Sequence, residues 1–135
     1  MSGTVSGEAV AAAAAALVGA RFQLQGRYPR TGLDCVGLIL AALAANGRVA
    51  PPLPPYTMRR TQLEPFEHLA AGLGLRDIAG PAKPGDVLVF RTGPAQWHAA
   101  VAIDADHIVH AHAALRRVVS SPVPTEWTIV RHWRL

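Results

Sequence analysis

The chain has 135 residues, half of them hydrophobic and 16% charged, with a formal net charge of +4; this suits one compact core and excludes a disordered chain. The positive balance favours anionic surroundings such as cell-wall polymers, but the basic residues are scattered, with only Arg59-Arg60 and Arg116-Arg117 adjacent, so nucleic acid is not expected as a partner. A single cysteine, Cys35, excludes an internal disulfide and any zinc site built on several thiolates.

Residues 9–18 are apolar and rich in alanine. No Lys or Arg precedes them and Glu8 stands at their start, so they do not read as an export signal. They are too short to span a bilayer, and membrane insertion is not expected. The stretch predicts a helix over 8–18, with Ser6 or Gly7 near its cap. Gly19 opens a loop containing Gly26, Pro29 and Gly32. A second helix is expected to begin close to Cys35 and to stop near Asn46-Gly47. Val36, Ile39, Leu40 and Leu43 fall at helical spacing and define its core face. Pro51, Pro52, Pro54 and Pro55 break regular structure, forming a surface loop or one wall of a cleft. Residues 65–73 predict a short helix with Phe66, Leu69, Ala70 and Leu73 inward, and 80–85 a turn. Strands follow at 86–91, 97–103, 107–112, 115–120 and 127–135, with a turn at 104–106. Helices first and an antiparallel sheet second is the α+β pattern. No repeat or linker divides the chain, so residues 1–135 are expected to form a single domain.

Cys35 sits at an expected helix start. Unpaired N–H groups and a positive partial charge gather there, and both stabilise a thiolate. Backbone N–H groups at Cys35 and nearby could also face an oxyanion. Gly32 and Gly37 permit tight turns and close approach of a substrate, and Asp34 is a candidate cap. A lone cysteine is also commonly a small buried hydrophobe, so the reactive reading needs a base. Of six histidines, His98 opens an otherwise apolar strand and needs a polar partner. His68 lies on the polar side of its helix, His107 at a turn and His132 near the end of the sequence, where structural roles suffice. A turn centred on Ala105 sets Ala100 opposite His110 and His98 opposite His112, and makes His98 and His110 diagonal neighbours on one face. Either His110 or His112 can then orient His98, as the third member of a triad does. A His-x-His strand can also bind metal. No further ligand has suggestive spacing, and no metal or cofactor is expected.

These residues resemble the NlpC-type cell-wall endopeptidases, a branch of the papain-like superfamily. The matching text is DCVG (34–37), KPGDVLVF (83–90), HAAVAI (98–103) and IVHA (108–111), with His98 and His110 twelve positions apart. The resemblance implies a papain-like α+β fold, with N-terminal helices packed on a C-terminal antiparallel β-sheet. It implies Cys35 as nucleophile, His98 as base and His110, ahead of His112, as third member. Oxyanion and substrate contacts are implied for Cys35, Asp34, Val36 and Phe22. Val36 stands where the family has a serine that helps hold substrate. Phe22 stands where it often has a tyrosine, and Tyr28 is the nearby hydroxyl. The implied substrate is the peptidoglycan stem peptide, cut between the side-chain carboxyl of D-glutamate and diaminopimelate.

The upstream segment LVGARFQLQGRYPRTGLDC (17–35) and the ending W-x-x-x-R-x-W-R-L (127–135) resemble tail-associated peptidases of phages and gene transfer agents. That implies baseplate or hub proteins as partners, synthesis in the cytoplasm, and delivery to the wall on a virion or virion-like tail. Two rival readings use the same fold: a tail component that has lost catalysis, and an amidase or acyltransferase built on the same Cys-His pair.

Overall fold

The computed structural model describes residues 6–48 and 63–135, so the proline segment at 51–55 lies outside the described residues. Ser6 accepts a hydrogen bond from the Ala9 N–H at 3.1 Å and caps α1 (Gly7–Ala16). The helix stops short of residue 18 because the N–H groups of Leu17 and Val18 turn back on Ala14 and Ala15, and Gly19 leaves to donate to the Val118 carbonyl. The glycine-rich loop holds a hairpin of two-residue strands that the sequence pattern did not announce, β1 (Arg27–Tyr28) and β2 (Gly32–Leu33). Two residues are too few to show an alternation. α2 (Cys35–Ala44) and α3 (Glu64–Leu73) follow the expected helical spacing. Val36, Ile39 and Leu43 of α2, and Phe66, Leu69, Ala70 and Leu73 of α3, are all buried, whereas Leu40, also expected inward, is only half-buried.

The sheet runs through β3 (Arg76–Asp77), β4 (Val87–Gly93), β5 (Gln96–Ala102), β6 (His107–His112), β7 (Arg117–Pro122) and β8 (Thr128–Arg134). Its spatial order is β3-β8-β4-β5-β6-β7 and every pair is antiparallel. β5 and β6 pair Val101 with Val109 and Ala102 with Ile108, the hairpin expected around Ala105. Side-chain alternation splits the apolar residues between two faces. Val87, Val89, Ala99, Val101, Val109 and Ala111 pack against the helices, and Leu88, Phe90, Ala100, Ala102 and Ile108 form a second cluster joined by Trp127. Each large side chain so buried contributes roughly 1.5–3 kcal/mol. The α+β arrangement expected from the sequence is the observed one, with the helices covering one face of the sheet.

Asp86 was expected inside a strand but lies just before β4, 1% exposed. Its carboxylate accepts from Arg134 Nε at 2.7 Å and Nη2 at 2.8 Å, from the Lys83 N–H at 2.9 Å, and pairs with His132 Nε2 at 2.6 Å. Burial raises its pKa, but the bonds from Arg134, His132 and Lys83 outweigh that and hold it below the usual carboxylate range. Among the described residues, no helix is long and apolar enough to cross a membrane.

Candidate active site

The start of α2 is built by one buried carboxylate. Asp34, 2% exposed, accepts from the Gly37 N–H at 2.8 Å and so caps the helix. It also accepts from the Gln25 N–H at 2.7 Å and from Arg27 Nη1 at 3.2 Å, which ties the hairpin loop to the helix end. A side chain at Gly37 would run into the Gly26 carbonyl, so only glycine lets the two backbones meet there. Cys35 is the first residue of α2, half-buried against the helical core. The helix packs on β5 and β6, the strands that carry the histidines.

The other named positions in this region have structural contacts of their own. Val36 is 1% exposed, with its side chain in the core. Phe22 packs against the same core, and its N–H donates to the Arg116 carbonyl at 2.9 Å. Tyr28 is 71% exposed.

On β5, His98 lies opposite Phe90 of β4. Its Nε2 meets His110 Nδ1 at 3.0 Å, and His110 Nε2 meets Ser121 Oγ at 3.0 Å. The two rings meet edge-on, with centroids 5.1 Å apart. Trp127 stands edge-on to both, 5.3 Å from His98 and 5.5 Å from His110, and is itself braced by Phe90 at 5.4 Å. His112 accepts from the Leu115 N–H at 3.1 Å, which commits its Nδ1 to the β6–β7 turn. The structure therefore brings His98 to His110 and leaves His112 one step away, with ring centroids 5.7 Å from His110.

Burial, then the like charges of His110 and His112, pull the pKa of His98 down to about 3. Burial, then His112, pulls His110 down to about 4. Both rings are neutral near pH 7, and each therefore carries a single N–H. They line a cleft of about 310 Å³ with Gln96, Trp97 and Trp127. A larger groove of about 850 Å³ lies between α3, β3 and β8. Of its polar groups, Arg131 pairs with Glu67 at 3.3 Å, Trp133 Nε1 with Asp77 at 3.0 Å and His132 with Asp86 at 2.6 Å.

His68 is exposed, His107 pairs with Asp104 at 3.0 Å, and His132 pairs with Asp86. No group of three or more His, Cys, Asp or Glu among the described residues is placed to hold a metal ion. Sequence reasoning missed Ser121 and Trp127 as parts of this cluster. Trp127 had one available signal, its place at the head of the W-x-x-x-R-x-W-R-L ending.

A family model described as the NlpC/P60 family matches residues 19–133. Among solved structures, the chain is similar to the NlpC/p60 domain of the peptidoglycan hydrolase SagA. That match has 25% identity and a TM-score of 0.69, and covers 97% of this chain and 100% of that one. NlpC1 from Trichomonas vaginalis shares the fold at 18% identity and a TM-score of 0.71, covering 96% of this chain and 45% of that one. The peptidoglycan hydrolase RipB from Mycobacterium tuberculosis shares it at 23% identity and a TM-score of 0.58, covering 95% and 63%. This chain thus spans the whole of the first but only part of the other two. No curated protein matches it in sequence.

Proposed function

The chain belongs to the NlpC/P60 family, and from that membership we propose that it is a cysteine peptidase that hydrolyses peptidoglycan stem peptides, with Cys35 as nucleophile, His98 as base and His110 as the residue that orients it. The observation that carries this reading is the 3.0 Å contact between His98 and His110, on strands packed by the helix that Cys35 opens. Contact with His110 occupies Nε2 of His98, so Nδ1 is the nitrogen this reading assigns to the thiol proton. The Cys35 thiol gives its proton to that nitrogen as Sγ attacks the peptide carbonyl carbon. Backbone N–H groups at the start of α2 stabilise the oxyanion. His98 passes the proton to the leaving amine, the C–N bond breaks and a thioester remains. His98 then takes a proton from water, the hydroxide adds to the thioester, and the C–S bond breaks to release the acid and restore the thiol. Burial pulls the pKa of His98 down to about 3, so an imidazolium there needs the thiolate beside it to be stabilised.

The bond proposed is the one between the side-chain carboxyl of D-glutamate and diaminopimelate, on the strength of the motif resemblance. Digestion of purified muropeptides, with products read by mass spectrometry, tests it. Wild type is expected to cleave and Cys35→Ala to fall to background with its fold intact. A Cys35→Ala protein that still cleaves overturns the assignment, and failure of folded wild type to cleave moves the reading to a tail component without catalysis. For delivery we infer carriage on a virion-like tail, supported by segments 17–35 and 127–135. The protein is then expected in purified particles by mass spectrometry, and particles that lack it remove that reading.

A further inference from the structure

We propose that Ser121 is a positioning residue that fixes which ring nitrogen of His98 carries the proton, acting through His110; the inference rests on the reading of His98 as the base. Four groups stand in a row. His98 Nε2 lies 3.0 Å from His110 Nδ1, His110 Nε2 lies 3.0 Å from Ser121 Oγ, and Ser121 Oγ donates to the Pro122 carbonyl at 3.0 Å. Each contact between two groups needs one donor and one acceptor, and each neutral ring has one of each. The row therefore has two self-consistent settings, and they differ at every link.

The carbonyl at the end chooses between them, because it can only accept. With the Ser121 proton on the Pro122 carbonyl, the Ser121 oxygen accepts from His110 Nε2–H. His110 Nδ1 is then a lone pair and accepts from His98 Nε2–H. Nδ1 of His98 is left bare, which is the state a base for Cys35 requires. In the other setting Ser121 donates to His110, and His110 Nδ1–H donates to His98 Nε2. The proton of His98 then sits on Nδ1, where it blocks transfer from the thiol, and the exposed Pro122 carbonyl exchanges its serine donor for water.

The register explains why position 121 does this. β6 and β7 pair Ile108 with Ser121 and His110 with Val119. Opposed side chains share a face, so Ser121 is the diagonal neighbour of His110. His110 is 2% exposed, so bulk water competes little for its ring.

The test uses the full chain labelled with nitrogen-15 histidine, as wild type, Ser121→Ala and Ser121→Thr. Long-range proton–nitrogen correlation spectra at neutral pH report the tautomer of each ring, and the rate of Cys35 alkylation by iodoacetamide reports the base. In wild type, Nε2 of both His98 and His110 is expected to be protonated and Nδ1 bare. Ser121→Thr keeps that pattern. Ser121→Ala mixes the tautomers, and both alkylation and muropeptide kcat fall by roughly tenfold with KM unchanged. Two results overturn the proposal: a proton on Nδ1 of His98 in wild type, which needs no variant to fold, or folded Ser121→Ala with both tautomers as in wild type. Failure of wild type to cut muropeptides strikes the proposed function instead, and leaves the nitrogen spectra to judge Ser121.

Discussion

His98 and His110 carry their chemistry at a cost in acid. Both have pKa values below the ordinary 6.5, at about 3 and about 4. Between those values and 6.5 the unfolded chain binds more protons than the folded one, so stability rises with pH through this window. The contribution is fully present above about 6.5 and is lost as the pH falls towards 4 and below. Asp86 adds to this at lower pH, since its depressed pKa contributes stability above about 3.8 that is lost in stronger acid. Thermal melts of wild type are therefore expected to fall steadily as the pH drops below 6.5, and His98→Gln is expected to flatten that slope. Parallel curves for the two proteins would contradict the assignment of the slope to His98. Much at this scale was legible beforehand. Asp34 before a helical run and a histidine opening an apolar strand are local patterns with local causes. Ser121 was not legible, because its contact with His110 depends on the β6–β7 register. The strand expected over 115–120 runs instead over Arg117–Pro122, so Ser121 fell outside the expected strand altogether.

That register is set by a turn with an unusual residue in it. Arg116 holds φ at +58°, a left-handed conformation that costs an L-residue roughly 1–2 kcal/mol. Its N–H closes the turn on the Ala113 carbonyl, and Arg117 follows, opposite both His112 of β6 and Arg21. Arg116→Gly is expected to relieve the strain and to stabilise the fold by about 1 kcal/mol, less the extra entropy of glycine in the unfolded chain. A denaturant titration with unchanged slope and a higher midpoint checks it. A lower midpoint would mean that the Arg116 side chain holds the turn by contacts of its own. No Asn-Gly or Asp-Gly marks this turn in the sequence, and so its position could not be read. β1, β2 and β3 are hidden for a different reason, their length of two residues each, too short to show an alternation. The helices were readable because ten residues give an apolar face room to repeat.

For the molecule as a whole, the order of classes along the chain was legible and the order of strands in space was not. Helices then strands follow from period and composition. Nothing local says that β8 lies between β3 and β4, because the contacts that hold it there join residues far apart. His132 and Asp86, which meet at 2.6 Å, are 46 positions apart in sequence. This placement governs how the protein folds. β4 and β5 form a hairpin, as do β5 and β6, and β6 and β7, each by closing a short turn. β8 must find β4 with no turn to guide it, and until it does β4 is an open edge that a second chain can pair with. Folding is thus a race between docking of the last strand and self-association. The bidentate grip of Arg134 on Asp86 favours docking at the moment when the exposed edge is most exposed to a second chain.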